Sequence, residues 1–250
     1  MTGLRTMLAS GRQMLGTFSI VPSIELIEMI GFAGFDFVII DMEHGPYSIN
    51  QVRAGLTAAR AHDLMSIVRV PDCAPAMIGA VLDAGANGVL VPQVDSADGA
   101  RAAVAAARFA PEGERGAHPW VSASGYGKVT DWFAVANRET AVMVMIEGKG
   151  GISAISEIIA TPGLDAIFLG PVDLSHSLGV PGETGHPLVL EAMQAVAEKA
   201  AASGLATAVF APDPERARSW WPYGIRLVAC AVDSQLILGA FAHTAVAARP

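Results

Sequence analysis

The stretch FDFVIIDMEHGPYSINQVRAGLTAARAHDLMSIVRV, residues 35–70, decides how the chain is read. An apolar run, Phe35–Asp41, is followed by a polar turn carrying Gly45 and Pro46. Asn50 then supplies an N-cap for a helix that passes through Leu56 to about His62, and a second apolar run, Met65–Val70, closes the stretch. Neither run alternates apolar with polar residues, so both faces of each strand are to be covered, as in a parallel sheet. Two parallel strands joined through a helix form a βαβ unit.

Working outward, the same alternation continues in both directions. Strands are expected at Met14–Val21, Gly88–Gln93, Thr140–Glu147, Leu164–Gly170, Ala206–Phe210 and Ile225–Val232. Helices are expected at Ser23–Ile30, Ala74–Ala84, Ala97–Phe109, Gly151–Ile159, Leu188–Ala202, Pro214–Trp221 and Ser234–Ala247. Eight βα units fill the 250 residues, and no linker rich in Pro, Ser or charge divides them. The expectation is an α/β fold: one (β/α)8 TIM barrel over residues 1–250, rather than a doubly wound sheet. The long connection Pro111–Arg138 is expected over the C-terminal face, as a flap.

Composition narrows the function classes. With 52% hydrophobic and 16% charged residues the chain is not disordered. A net charge of −8 with scattered basic residues argues against a nucleic-acid partner. The longest stretch free of Lys, Arg, Asp and Glu, Ser234–Ala248, still contains Gln235, His243 and Thr244, so no transmembrane helix and no membrane partner are expected. The N-terminal segment has no secretory signature, which points to the cytoplasm. Cys73 and Cys230 belong to no C-x-x-C pair and read as reduced packing residues.

In such a barrel the loops that follow the strands build the site. Strand two ends in Asp41, followed by Met42-Glu43-His44-Gly45-Pro46. Strand three carries Arg69, strand five ends in Glu147, and strand six runs into Leu169-Gly170-Pro171-Val172-Asp173. A single carboxylate past a strand often caps a helix or tethers a loop. Four strands that each deliver an acid or a base to one rim are harder to explain that way. Glu147 and Asp173 leave adjacent strands and can converge on one cation. With no His or Cys at matching spacing, they suit Mg²⁺ or Mn²⁺ with positions left for water and a chelating substrate, and they disfavour structural zinc. For His44 the bland alternative is a surface loop histidine, and for Arg69 a buried ion pair with Asp41 or Glu43.

The segments GFDFVIIDMEHGPYS, SIVRVP, LDAGANGVLVPQV, MIEGKGG, IFLGPVDLSHSLG and the closing AVD carry a resemblance. Together, from Gly16 to about Ala247, the chain resembles the HpcH/HpaI aldolase family, class II pyruvate aldolases typified by 4-hydroxy-2-oxoheptanedioate aldolase. The resemblance implies a homo-hexamer of barrels with the C-terminal helix at the subunit interface. It implies reversible aldol addition or cleavage between a 2-oxo acid enolate, from pyruvate or hydroxypyruvate, and an aldehyde. A divalent metal, Mg²⁺, Mn²⁺ or Co²⁺, would be held by Glu147 and Asp173. The oxo acid carboxylate would also meet backbone N–H groups around Gly170, Val172 and Asp173. His44 would be the general base, acting through a water, and Arg69 would stabilise the enolate and the aldehyde oxygen. Asp83, at the end of the third helix, would raise the basicity of a neighbouring subunit's His44, with Asp41 as the competing orienter.

Departures from the family pattern carry their own expectations. Met145-Ile146-Glu147-Gly148 stands where relatives read Q-I-E-T, so Met145 loses a polar contact and the pocket becomes more apolar. Lys149-Gly150-Gly151 forms either an anion-binding helix start or a tight turn. Phe210, ending strand seven, either limits the aldehyde or packs. Three other functions stay open: a class I Schiff base on Lys149, a citrate-lyase β-like CoA-ester lyase, and a non-catalytic barrel subunit. The absence of a basic cluster for CoA phosphates weakens the second.

Overall fold

The computed structural model describes residues 3–250. Eight parallel strands close into a barrel: β1 Met14–Ser19, β2 Phe37–Asp41, β3 Met65–Arg69, β4 Gly88–Val91, β5 Ala141–Ile146, β6 Ala166–Leu169, β7 Ala206–Ala211 and β8 Leu227–Val232. Each strand pairs with the next, and β8 pairs with β1, so the sheet has no free edge.

The strands look uniformly apolar, yet their residues divide strictly between two cores. Inside the barrel lie Phe37 and Ile39, Met65 and Ile67, Met143 and Met145, Phe168, Ala206 and Ala208. The alternate positions, Val38 and Ile40, Val68, Val142, Val144 and Ile146, Ile167 and Val209, face the surrounding helices. Phe, Met, Ile, Leu and small Ala fill the interior, while Val and Ile dominate the strand positions of the outer layer. This is the period of two expected of any strand, hidden because both faces are dry. Carried one step past the last inward residue, it aims Asp41, Arg69, Glu147 and Phe210 at the axis of the barrel's C-terminal mouth.

Helix Leu4–Ala9, which the sequence reading did not anticipate, plugs the opposite end, with Leu4 and Leu8 in the interior cluster. Two further helices were also missed. Trp132–Glu139 lies within the long connection, and Pro171–Leu178 begins immediately after β6 with Pro at its first position and Gly179 at its left-handed C-cap. The expected helix Gly151–Ile159 is two short ones, Lys149–Ser153 and Ile155–Ile159. Ser48 rather than Asn50 caps Ile49–Ala61, through a capping box with Gln51. Several expected strands, among them Met14–Val21 and Leu164–Gly170, end earlier because their last residues turn into the rim loops.

One placement is corrected outright. The connection Pro111–Arg138 lies at the N-terminal face and cannot be a flap over the mouth. The Ala123 N–H donates to the Asp83 carbonyl at 3.1 Å. Ser122 and Gly125 share a cavity with Ser66, Asn87 and Thr140, all at strand beginnings. The reason is topological: the segment follows helix Ala97–Ala107 and precedes β5, and every helix-to-strand connection of a parallel barrel lies at that end.

Among the described residues no helix is long and apolar enough to cross a membrane. Helix Asp233–Ala247 stands away from the barrel, leaving Leu238, Phe241 and Val246 exposed.

Candidate active site

The strand ends enclose a cavity of about 250 Å³ at the C-terminal mouth. Asp41, His44, Arg69, Met145, Glu147, Gly170, Val172, Asp173 and Phe210 all line it. Asp83, expected to act on His44, lies elsewhere. It sits at the N-terminal face, where its carboxylate meets the buried Arg115 at 2.6 Å.

Cross-strand register explains the first contact. Asp41 and Arg69 are partners across β2 and β3, so their inward side chains stand side by side. The Arg69 guanidinium donates from Nε to Asp41 Oδ1 at 2.8 Å and from Nη2 to Oδ2 at 2.6 Å, a two-pronged pair. Its Nη1 lies 3.0 Å from Glu43 Oε2 and 3.8 Å from Met145 Sδ. Burial works against the Arg69 charge, but the Asp41 hydrogen bond and the charges of Asp41, Glu43 and Glu147 outweigh it and hold the guanidinium above its ordinary range. The buried ion pair and the cavity-lining role therefore coexist in one residue.

Asp41 also organises the loop that follows. Its Oδ1 accepts the backbone N–H groups of Glu43 at 3.0 Å and His44 at 3.4 Å. It thus reaches His44 through the main chain, while the carboxylate beside the imidazole is Glu43, at 3.9 Å from Nε2. The imidazole itself is largely exposed, its side chain 63% accessible.

Glu147 and Gly170 extend adjacent strands, one step past the Ile146–Leu169 pair. A Cβ on Gly170 would come within 2.8 Å of Glu147 Oε2, so only glycine lets the carboxylate lie against this backbone. The Gly170 N–H donates to the Ile146 carbonyl at 3.3 Å. Val172 and Asp173 are different: they occupy the first turn of helix Pro171–Leu178, where N–H groups have no intrahelical acceptor.

Burial pushes the Glu147 carboxyl up to about 7. The Gln93 N–H pulls it down, the charges of Asp173 and Glu43 raise it further, and Arg69 lowers it. Among the described residues no three His, Cys, Asp or Glu side chains converge as a metal set. Of the three carboxylates in the lining, Asp41 is held by Arg69, and the other two, Glu147 and Asp173, fit a hard cation that keeps most of its coordination for water and substrate.

Gln93 was missed. Just past β4, in a left-handed backbone conformation (φ 55°), it donates its N–H to Glu147 Oε1 at 2.8 Å and its side-chain amide to Glu43 Oε1 at 3.1 Å. Nothing in the local sequence Val91-Pro92-Gln93-Val94 marks it out, because the link spans three loops. Lys149 does not line the cavity. Its backbone N–H donates to Ser177 Oγ at 2.9 Å, which favours the tight turn over an anion site.

Known proteins supply the remaining comparison. The family model described as HpcH/HpaI aldolase/citrate lyase matches residues 14–240. The hydroxypyruvate/pyruvate aldolase of Roseobacter denitrificans is 34% identical over 232 residues, covering 92% of this chain and 91% of its own. The 5-keto-4-deoxy-D-glucarate aldolase of Escherichia coli is 35% identical over 226 residues, covering 90% and 88%. The crystal structure of an HpcH/HpaI aldolase/citrate lyase family protein from Burkholderia cenocepacia J2315 superposes with a TM-score of 0.93 at 34% identity, covering 99% of both chains. With the match extending from β1 into the last helix and the polar strand ends in place, the chain belongs to the HpcH/HpaI aldolase/citrate lyase family.

Proposed function

We propose that this chain is a divalent-cation-dependent class II aldolase that joins the enolate of a 2-oxo acid, pyruvate or hydroxypyruvate, to an aldehyde and catalyses the reverse cleavage. The observation that carries the reading is the carboxylate pair at the mouth: Glu147 and Asp173 face one cavity, and Asp173 helps raise the Glu147 carboxyl. Countercharge between them relieves that repulsion. These two residues would hold the cation, Mg²⁺, Mn²⁺ or Co²⁺. When bound, it supplies Lewis-acid polarisation of the oxo acid carbonyl.

The other residues follow from their positions. The N–H groups of Val172 and Asp173, at a helix N-terminus, receive the substrate carboxylate. Arg69 sets its charge where negative charge develops on the enolate and then on the aldehyde oxygen. His44, through a water, takes the C3 proton of pyruvate or, in cleavage, the hydroxyl proton. Met145 and Phe210 give the cavity apolar walls.

Asp83 lies at the wrong face for its own His44, so its part in catalysis is assigned to a neighbour's base within a homo-hexamer. The exposed apolar face of helix Asp233–Ala247 supplies buried contact for that assembly. The two free cysteines fit the cytoplasm. The citrate-lyase β-like alternative has less behind it, since the relatives at 34% and 35% identity are named as aldolases. The Schiff-base alternative lacks a lysine in the cavity lining.

The test is exchange of pyruvate C3 protons with deuterated solvent in the absence of aldehyde. Exchange should require Mn²⁺ or Mg²⁺, stop with chelator, be lost in Asp173→Ala and fall about 10²–10⁴-fold in His44→Ala. A borohydride-trapped pyruvate adduct that is indifferent to chelator would overturn the reading. Mixing Asp83→Asn with His44→Ala chains should restore activity that neither has alone; a fully active monomer would remove the role given to Asp83.

A further inference from the structure

The catalytic cavity is lined by two unlike sets of residues. Asp41, Arg69, Glu147 and Asp173 make one part of its lining and Phe18, Ile20, Phe168, Phe210 and Val232 another, the two meeting where the Arg69 guanidinium lies over the Phe18 ring, 5.0 Å from its centroid. Phe18 packs edge-on against Phe168, with centroids 5.8 Å apart, and against Phe210, at 5.9 Å, so rings from β1, β6 and β7 form one aromatic surface. A register shift between β1 and β8, with Ala231 in a left-handed conformation (φ 62°), sets Val232 opposite Phe18 and extends that surface. Arg69 is the guanidinium of the lining, and Asp41 and Glu43 already match its charge.

A second cation lies close by but is screened. Phe210 and Pro171 line the catalytic cavity on one side and, on the other, a void of about 10 Å³ lined also by Arg216 and Trp220. Phe210 is thus the partition between the cavity and Arg216.

We propose that the acceptor is an uncharged aldehyde bearing an apolar chain or ring, and that Phe210 determines this by covering the wall and screening Arg216. The inference rests on the aldolase reading, in which the oxo acid occupies the charged part and leaves the aromatic wall to the aldehyde. A carboxylate placed on that wall would lose its hydration, and the one guanidinium that reaches the wall, Arg69 over the Phe18 ring at 5.0 Å, is already matched by Asp41 and Glu43. Methylene groups or a ring would instead be buried there. The chemistry itself does not select: donor C3 gives up a proton, the electron pair left behind forms the bond to the aldehyde carbon, and the aldehyde oxygen takes up a proton. No oxidant or reductant enters, and the aldehyde's side chain is untouched, so its fit to the wall decides.

The experiment measures kcat/KM for addition of pyruvate to propanal, hexanal, benzaldehyde, glyoxylate and succinic semialdehyde, using the full chain with Mn²⁺. Hexanal and benzaldehyde should exceed propanal by about tenfold or more, and succinic semialdehyde by about 10²-fold. Phe210→Ala should lower the hexanal to succinic semialdehyde ratio by about tenfold, and adding Arg216→Gln should restore it. Should the alanine variant not fold, Phe210→Leu serves, with a smaller change in the same direction. A parent enzyme that prefers the semialdehyde, or a ratio unmoved by either substitution at Phe210, overturns the proposal. Pyruvate C3 exchange by the parent separates the two failures: exchange with the wrong acceptor preference breaks this inference alone, and no exchange breaks the reading beneath it.

Discussion

Each end of the barrel buries an arginine against an aspartate, and the two pairs do different things. At the N-terminal end Arg108 is fully enclosed and its terminal nitrogens are all satisfied by protein: Nη1 donates to the Asn137 and Thr140 carbonyls at 2.8 and 2.7 Å, Nη2 to the Gly163 carbonyl at 3.2 Å and to Asp165 at 2.5 Å. Burial holds its charge below the ordinary arginine range in spite of Asp165. At the mouth Arg69 meets Asp41 just as closely, yet it lines a cavity, and surrounding carboxylates hold its charge above that range. A closed cation whose partners include several backbone carbonyls ties loops together. An open one among carboxylates is available to a substrate that develops negative charge.

Exchanging the residues should separate the two roles. Arg108→Met leaves the buried Asp165 with the Val142 N–H and, as its one remaining cation, the partly exposed Arg5, so unfolding free energy should drop by about 3 kcal/mol or more, read from urea titration. Activity per folded molecule should persist. Arg69→Lys keeps a charge for Asp41 but loses the planar fork. Its thermal midpoint should move little, while kcat/KM falls about 10²-fold or more. A large stability loss in Arg69→Lys with unchanged kinetics would collapse the distinction.

The pH response sharpens the same contrast. With its carboxyl raised to about 7, Glu147 favours the folded, cation-free protein in its protonated form. That contribution is whole below the ordinary carboxylate range and is lost as pH rises through about 7. The thermal midpoint of the cation-free protein should therefore decline across this window, and Glu147→Gln should flatten the decline. Cation affinity should increase over the same window, because proton and cation compete for one carboxylate. Calorimetric titration at pH 6 and pH 8 checks this, and equal affinities would count against Glu147 as a ligand.

The smallest expected effect is at Gln93. Gln93→Ala keeps the backbone N–H to Glu147 but removes the amide on Glu43, so kcat/KM should fall no more than about tenfold, with stability changed by about 1 kcal/mol or less.

Much of this site could be read before folding was considered. Asp41, Arg69, Glu147 and Phe210 each lie two residues beyond an inward Ile, Met or Ala, so the period of a strand and the rule that strand ends face the mouth were enough to gather them. The capping box at Ser48-x-x-Gln51, and the pairing of Pro171 with Gly179 around a helix, were equally legible as local signals. Placing the Pro111–Arg138 connection also needed only its order in the chain, since a segment between a helix and a strand belongs to the opposite end.

Other features have no local signature. That Arg69 grips Asp41 depends on the register of β2 against β3, and that Gln93 joins Glu43 to Glu147 depends on three loops closing on one another. That Phe210 separates the cavity from Arg216 depends on how helix Pro214–Trp220 packs behind β7. Sequence by itself determined the eight strands, their order and the polar residues at their ends, because these follow from spacing along one segment. Tertiary structure alone decided which charges meet and which are kept apart, because Coulomb and hydrogen-bond energies depend on distances of a few ångströms between residues far apart in the chain.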